Sequence, residues 1–175
     1  MSKLKLIIIG LGRHGKDTAS EFLRDEMNYN FCSSSWFVAE KAVYPLLKRK
    51  YNYSTLQECY DDRHEHRADW FNIICEYNNP NPAKLGTELF KEHDIYCGLR
   101  NVAEFEAMKK NGVFDYCIWV DAFDRLGQTE DKSSITLSKS DADFVVYNND
   151  SLESFKEEIL SLVKKLEQEK NNAAS

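Results

Sequence analysis

The feature that most constrains this chain is a glycine-rich stretch that follows an apolar run near its start. The run, Leu4–Leu11, is rich in isoleucine and predicts a strand buried on both faces. The stretch reads GLGRHGK from Gly10 to Lys16, and a helix pattern continues from Gly15 to about Arg24. Glycines let successive backbone N–H groups converge on phosphate oxygens, and the N-terminus of a helix adds a favourable dipole. The spacing G-x-x-x-x-G-K therefore predicts a phosphate-binding loop between a strand and a helix.

The residues of this loop have distinct expected roles. Lys16 is placed to reach the β- and γ-phosphates of a nucleotide as a point charge. The strict pattern continues with Ser or Thr, whereas here Asp17 precedes Thr18. Thr18 still lies in the first helical turn and is a candidate Mg²⁺ ligand. Asp17 is either a second metal ligand or a catalytic residue, or it only stabilises the start of the helix through its charge. The predicted ATP-binding residues are Gly10, Gly12, Arg13, His14, Gly15, Lys16, Asp17 and Thr18.

Length, charge and cysteine content limit the class of protein. The 175 residues are enough for one domain with a sizeable core. The net charge of −6 argues against binding nucleic acid through bulk electrostatics, although it leaves room for a local basic groove. No apolar run approaches the roughly 20 residues that span a bilayer, so we expect no membrane partner. Five scattered cysteines and the lack of a signal-peptide pattern predict buried free thiols in the cytoplasm.

Strand and helix patterns alternate along the rest of the chain. Further strands are predicted at 29–32, 95–99, 116–120 and 144–147. Helices are predicted from Trp36 to a kink or end near Pro45, and over 51–77, 83–93, 102–110 and 151 to about 169. The polar segment 121–141 predicts a mobile loop or lid, and 171–175 predicts a disordered tail. This alternation indicates a parallel α/β sheet that is covered on both faces.

Three stretches resemble one family. Gly10–Thr18, G-x-x-x-x-G-K-D-T, resembles the loop of phage-type deoxynucleoside monophosphate kinases, within the adenylate-kinase-like P-loop kinases. Val113–Arg125 resembles their fourth strand and lid arginine, and Ser140–Phe155 resembles their last strand, adenine-side loop and closing helix.

The resemblance implies a P-loop NTPase three-layer α/β sandwich of about five parallel strands, forming a single domain over 1–175. It also implies an acceptor-binding helical insertion over roughly 33–82 and a lid over roughly 121–142. ATP and Mg²⁺ are the implied cofactors and nucleotides the implied substrates. The implied location is the cytoplasm, which is that of the host if the chain is phage-encoded.

The resemblance also suggests roles for individual residues. Arg125 would touch the transferring phosphates from the lid, and Asn148 would lie near the ATP base, unless it only forms a turn that caps the last helix. The third strand departs from the family pattern, because Gly98 stands where relatives often carry an acidic residue that helps to hold Mg²⁺. Arg100 remains as a candidate phosphate clamp. The metal would then depend on Thr18, ATP oxygens, water, or a carboxylate such as Asp17 or Asp121.

The charged stretch Tyr60–Trp70 is the candidate acceptor site. Arg63 and Arg67 are four residues apart, so on a helix they would share one face and could clamp an acceptor phosphate. Asp62 and Asp69 could serve as a base or as partners of those arginines. A solvated, salt-bridged helix face is the alternative interpretation. Trp36 is one of several aromatic residues that could stack on an acceptor base.

Three functional hypotheses follow. The first is an ATP-dependent kinase that converts a deoxynucleoside monophosphate to its diphosphate, with Lys16, Arg100 and Arg125 acting on the transferring group. Such an acceptor is largely deprotonated at pH 7, so it needs arginines but no base. The second is a related kinase that phosphorylates a hydroxyl, such as that of a hydroxymethylated pyrimidine in phage DNA. That reaction needs a carboxylate, for which Asp61, Asp62 and Asp69 are the candidates. The third is a nucleotide-binding module that hydrolyses slowly.

Overall fold

The computed structural model describes residues 3–175, and a parallel sheet forms their centre. Its five strands are β1 (Leu6–Ile9), β2 (Phe31–Ser33), β3 (Ile95–Cys97), β4 (Tyr116–Asp121) and β5 (Phe144–Tyr147). The spatial order is β2-β3-β1-β4-β5, and each neighbouring pair is parallel. Helices lie on both faces, which confirms the predicted three-layer α/β class.

The helices connect the strands and cover the sheet. They are α1 (Lys16–Met27), α2 (Ser34–Val38), α3 (Tyr44–Leu47), α4 (Leu56–Asp61), α5 (Arg67–Tyr77), α6 (Lys84–Glu92), α7 (Val102–Lys110), α8 (Phe123–Leu126) and α9 (Leu152–Ala173). A π-helical turn, Ala39–Val43, joins α2 to α3. Short 3₁₀ turns are present at Asp62–His64, Lys132–Ser134 and Lys139–Asp141. Within the described part of the chain, no helix is both long and apolar enough to cross a membrane.

Alternate side chains of β1 enter two different hydrophobic layers, as its buried apolar run predicts. Ile7 and Ile9 pack in the layer that includes α2, α6 and α7. Leu6 and Ile8 pack in the layer formed with α1 and α9, where Phe155 is a central buried residue. Because successive side chains of a strand point to opposite faces, a strand covered on both faces needs apolar residues throughout.

The order of the strands determines where a ligand site can form. After β1 the chain forms β2 and β3 on one side of it and then crosses to form β4 and β5 on the other, so the strand order reverses at β1. In open parallel sheets, ligands bind beyond the carboxyl ends of the strands at this point. The glycine-rich loop follows β1 there, and the residues after β3, β4 and β5 meet it at the same edge.

The connection between β2 and β3 is helical, but the predicted single helix over 51–77 is wrong. A capping box starts α4, in which Thr55 accepts a hydrogen bond from the Glu58 backbone and Glu58 bonds back to Thr55. After the 3₁₀ turn, His66 has φ −122° and ψ 38°, which lies outside the helical region and separates α4 from α5. Near Pro45, where a kink or end is predicted, a π-helical turn at Ala39–Val43 interrupts the α-helix, which then ends at Leu47.

The end of the chain differs from the sequence prediction. Helix α9 continues to Ala173, so residues 171–173 are helical rather than a disordered tail. Lysine, glutamate and alanine favour helix, and no Gly or Pro ends the pattern earlier. The segment 121–141 contains α8 and two 3₁₀ turns. Four cysteines are buried as predicted, whereas Cys75 on α5 is exposed.

Candidate active site

The glycine-rich loop has a backbone that only glycine fits at two positions. Gly10 has φ 150°, and a Cβ there would lie 2.5 Å from the carbonyl oxygen of Val120. Gly15 has φ 110°, and a Cβ there would lie 2.7 Å from Asn148 Nδ2. Arg13 also adopts a left-handed conformation, with φ 63°. The loop is thus a tight, partly strained turn pressed against the ends of β4 and β5, as expected of a phosphate cradle.

Lys16 is the first residue of α1 and lies half-buried at the base of this loop. Its Nζ donates to the carbonyl oxygen of Leu11 over 3.0 Å. Burial lowers the pKa of Lys16, and Arg100 acts in the same direction, whereas the nearby Cys97, Asp17 and Glu130 act to raise it. The Lys16 ammonium therefore lies among charged side chains at the base of the glycine-rich loop.

The third strand delivers Gly98 and Arg100 to the loop. Gly98 has φ 84°, and a Cβ there would lie 4.0 Å from the Lys16 side chain. The position at which relatives often carry an acid therefore adjoins Lys16 here, but it carries no carboxylate. Arg100 is exposed and donates to Glu130 Oε2 over 2.6 Å.

His14 is buried and connects the loop to two other segments. The backbone N–H of Ala122 donates to His14 Nδ1 over 3.1 Å. Nδ1 is therefore the acceptor, so Nε2 carries the proton and donates to the carbonyl oxygen of Gly127 over 3.0 Å. Both ring nitrogens are engaged, which makes the imidazole a structural link between the loop, β4 and the lid. The binding of ATP by His14 stays a prediction; in this structure its side chain supports the loop.

Asn148 and Arg125 meet behind the loop. Asn148 is buried, and its Nδ2 donates to the carbonyl oxygen of His14 over 3.0 Å. Arg125 Nε donates to the carbonyl oxygen of Asn148 over 3.2 Å, and the Arg125 side chain remains exposed. The amide of Asn148 thus supports the loop, and Arg125 lies beside the segment that follows β5.

Asp17 and Trp36 line a cavity of about 290 Å³ at the end of β2. Asp17 is exposed, and its Oδ1 accepts a weak hydrogen bond from Cys97 Sγ over 3.3 Å. Trp36 packs edge-on against Tyr60, with 4.9 Å between the ring centroids. Thr18 is half-buried in the same first turn of α1. The structure therefore brings an acidic group and two aromatic rings together next to the loop.

A cavity of about 520 Å³ beside the loop is rich in arginine. Arg63 and Arg67 line it from the insertion, and Arg100 lines it from the side of the sheet. Arg63 Nη1 donates to the carbonyl oxygen of Tyr60 over 2.8 Å, and its guanidinium lies 4.1 Å from the centre of the Tyr60 ring. Arg63 and Arg67 thus line one cavity, although a 3₁₀ turn followed by α5 positions them there instead of one continuous helix. The remaining lining residues are His64, Trp70, Phe71, Ile74, Glu130 and Ser134.

Asp62 and Asp69 lie outside this cavity. Asp62 Oδ2 accepts from the Tyr53 hydroxyl over 2.7 Å and pairs with His66 Nε2 at 3.1 Å. Asp69 Oδ2 accepts from Tyr51 over 2.6 Å and from Lys50 over 2.7 Å. Both carboxylates therefore brace the insertion instead of facing the arginines.

Two contacts with the loop were missed from the sequence, and both come from the segment 121–141. Glu130 Oε1 accepts the backbone N–H of Gly12 over 2.7 Å, and the Thr129 hydroxyl donates to the carbonyl oxygen of Gly12. These residues are more than 115 positions from Gly12 in the chain. The polar composition of 121–141 predicts a lid but does not identify which of its side chains reaches the loop.

A metal ion would need ligands besides those of the protein. Among residues 3–175, no group of three or more His, Cys, Asp or Glu side chains is arranged to hold one. Asp121, named as a possible metal ligand, is buried and pairs with Lys139, and its Oδ1 accepts from the Phe123 backbone over 2.8 Å. Thr18 and Asp17 remain beside the loop, so phosphate oxygens and water would have to complete the shell.

Comparisons with known proteins identify the fold. No protein-family model and no curated protein matches the chain. Among solved structures, a gluconokinase from Sinorhizobium meliloti 1021 is similar with a TM-score of 0.54 and 13% identity, over 99% of this chain and 100% of that one. A shikimate kinase from Aquifex aeolicus has a TM-score of 0.49 and 16% identity, over 93% of this chain and 95% of that one. The chain therefore has the three-layer α/β fold that is also found in P-loop kinases.

Proposed function

We propose that this protein is an ATP-dependent phosphotransferase that acts on a nucleotide. One observation carries the proposal. The glycine-rich loop, which is followed by Lys16, lies next to a cavity lined by Arg63, Arg67 and Arg100. Phosphoryl transfer depends mainly on positioning and on stabilising charge, and these groups are of the kind that the reaction requires.

The loop would hold the donor. The backbone N–H groups before α1 and the Lys16 ammonium would bind the β- and γ-phosphates of ATP. Thr18, with Asp17 beside it, would hold Mg²⁺ together with phosphate oxygens and water. When bound, Mg²⁺ neutralises charge on the phosphates. Arg125, which lies beside Asn148, is proposed to reach the phosphates from the lid after a change in its position.

A deoxynucleoside monophosphate is the first acceptor we propose. Arg63 and Arg67 would pair with its phosphate, and Arg100 would neutralise charge between acceptor and donor. Exposed Phe71 at the cavity and the Trp36–Tyr60 pair offer apolar faces for a base. A dianionic acceptor needs no general base, which agrees with the engagement of Asp62 and Asp69 elsewhere.

A hydroxymethylated pyrimidine in DNA is the second acceptor. The position of Asp17 favours it, since this exposed carboxylate lines a cavity next to the loop and could accept the proton of a hydroxyl. The arginines would then bind DNA phosphates that flank the acceptor.

Transfer of label from [γ-³²P]ATP in the presence of Mg²⁺ tests the proposal and separates the two acceptors. One panel holds the common nucleoside and deoxynucleoside monophosphates together with modified pyrimidine monophosphates. The other holds plain and hydroxymethylated DNA. Label in a free diphosphate supports the first acceptor, and label only in hydroxymethylated DNA supports the second. Slow release of phosphate with no labelled acceptor in either panel would contradict the proposal and favour a nucleotide-binding module.

A further inference from the structure

The carboxylate of Glu130, in the lid, contacts the phosphate-binding loop. One oxygen of Glu130 accepts from the backbone N–H of Gly12 over 2.7 Å, and the other accepts from Arg100 Nη1 over 2.6 Å. The Glu130 side chain is only 16% exposed, whereas the Arg100 side chain is 43% exposed. Glu130 is therefore enclosed between the loop and the arginine that borders the acceptor cavity.

The rest of the lid holds Glu130 in this place. Before it, the Thr129 hydroxyl donates to the carbonyl oxygen of Gly12, and Gly127 accepts from His14 over 3.0 Å. After it, the Thr136 backbone donates to the carbonyl oxygen of Arg100 over 2.9 Å. The neighbouring Ile135 and Leu137 are buried. The lid is thus anchored on both sides of Glu130 and closes over the loop.

The groups that bind Glu130 are also groups that commonly bind phosphate. A backbone N–H at a glycine-rich loop and a guanidinium are standard phosphate donors, and the Lys16 ammonium adds positive charge. Burial acts to raise the pKa of Glu130, but the hydrogen bonds from Arg100 and Gly12 outweigh it, so this pKa lies below its ordinary value. Glu130 is accordingly ionised, and its carboxylate is bound by donors that could also bind a phosphate.

We infer that Glu130 is an internal ligand of the phosphate site, which a phosphoryl group of the bound nucleotide must displace before transfer. In its place in the loop, Glu130 blocks the N–H of Gly12 and holds Arg100. Displacement would release Arg100 to the incoming anion and free the lid segment around Thr129. This inference rests on the proposed function for the identity of the ligand, but its test measures binding alone.

Competition of this kind lowers the apparent affinity for the nucleotide. If the Glu130 contact is formed in about nine of ten molecules, the measured Kd is raised roughly tenfold over that of the open form. Removal of the carboxylate should therefore tighten nucleotide binding. A metal ligand or a group that stabilises bound ATP would have the opposite effect when it is removed.

The test uses isothermal titration of the non-hydrolysable analogue AMP-PNP into the full chain, with EDTA and, separately, with Mg²⁺. The variants are Glu130→Ala, which removes the carboxylate, and Glu130→Gln, which removes its charge but keeps an acceptor oxygen. Asp131→Asn is the matched control, because this neighbouring exposed carboxylate accepts from Ser133 within the lid. Thermal melting of each variant verifies that it is folded.

We expect Kd to fall about tenfold for Glu130→Ala and by a smaller factor for Glu130→Gln, with or without Mg²⁺. Asp131→Asn should leave Kd unchanged. Equal affinity in all four proteins, or weaker binding by Glu130→Ala, would overturn the inference while leaving the proposed function intact. Absence of AMP-PNP binding by every protein would contradict both.

Discussion

The backbone N–H of Ala122 donates to Nδ1 of His14 over 3.1 Å, and this bond fixes the tautomer of a buried imidazole inside the phosphate loop. Because Nε2 then donates to Gly127, one ring connects the loop, the end of β4 and the lid. The geometry of the loop therefore depends on a residue whose two ring nitrogens both form hydrogen bonds within the protein.

Replacement of His14 by Ala should lower both stability and affinity. It would leave the N–H of Ala122 without its partner, at a cost of about 2 kcal/mol in the free energy of unfolding. It should also weaken AMP-PNP binding several-fold, because the loop loses its support. Urea denaturation and titration measure the two effects. His64→Ala, at an exposed position, is the control for stability, and equal losses in the two variants would contradict the role given to His14.

Replacement of Gly15 by Ala should be more damaging than the same change at Gly112. Both glycines have positive φ, but a Cβ on Gly15 would lie 2.7 Å from Asn148 Nδ2, whereas a Cβ on Gly112 would have no atom within 4 Å. Gly112→Ala should cost about 1 kcal/mol from backbone strain. Gly15→Ala should cost at least about 2 kcal/mol and weaken AMP-PNP binding. Equal melting temperatures for the two variants would rule out the crowding at Gly15.

Replacement of Arg67 by Ala should act on the acceptor and spare the donor. The arginine lines the cavity proposed to bind the acceptor, so its loss should raise the KM for whichever acceptor is labelled by on the order of tenfold. The KM for ATP should change little. Steady-state kinetics of Arg67→Ala and of Arg24→Ala, an exposed arginine near the far end of α1, provide the comparison. A rise in the KM for ATP alone would contradict this assignment.

Glu104 should make stability depend on pH. It accepts from the Tyr96 hydroxyl over 2.7 Å, and burial raises its pKa to about 7, more than this bond lowers it. The stabilisation from protonated Glu104 is complete below the unfolded pKa, near 4.5, and is lost as pH rises through about 7. The free energy of unfolding should fall between pH 5 and pH 8, and in Glu104→Gln this fall should be smaller by about 2 kcal/mol than in the unchanged protein.

Urea denaturation at pH 5 and pH 8 measures this difference. Glu106→Gln, an exposed position on the same helix, should keep the pH dependence of the unchanged protein. If Glu104→Gln kept it too, the protonation of Glu104 would not be linked to folding.

Local sequence patterns predict the central part of the fold, which is β1, the loop after it and α1. Leu4–Leu11 and the glycines after it specify a buried strand, a phosphate loop and a helix, because each signal lies within a few residues of the element it forms. The meeting of Arg63 and Arg67 was also predicted, but from a continuous helix that the backbone of His66 interrupts. The two side chains converge because the turn and α5 face one cavity.

The contacts that complete the site could not be predicted from local patterns. Glu130 and Gly12 are 118 residues apart, and Asn148 and His14 are 134 apart, so only the sheet topology brings them together. The same limit applies to Asp62 and Asp69, whose charges suggested the acceptor site. Tyrosine, lysine and histidine side chains of the insertion hold them elsewhere.

The most direct test of the account is the initial rate of ³²P transfer from [γ-³²P]ATP by the unchanged protein and by Lys16→Ala, with the acceptor that the panels identify. We expect Lys16→Ala to lose on the order of 10²–10³ in rate, as for removal of one preorganised charge from a transition state. Lys156→Ala, on the surface of α9, should transfer label at the normal rate. An unchanged rate in Lys16→Ala would contradict phosphoryl transfer at this loop.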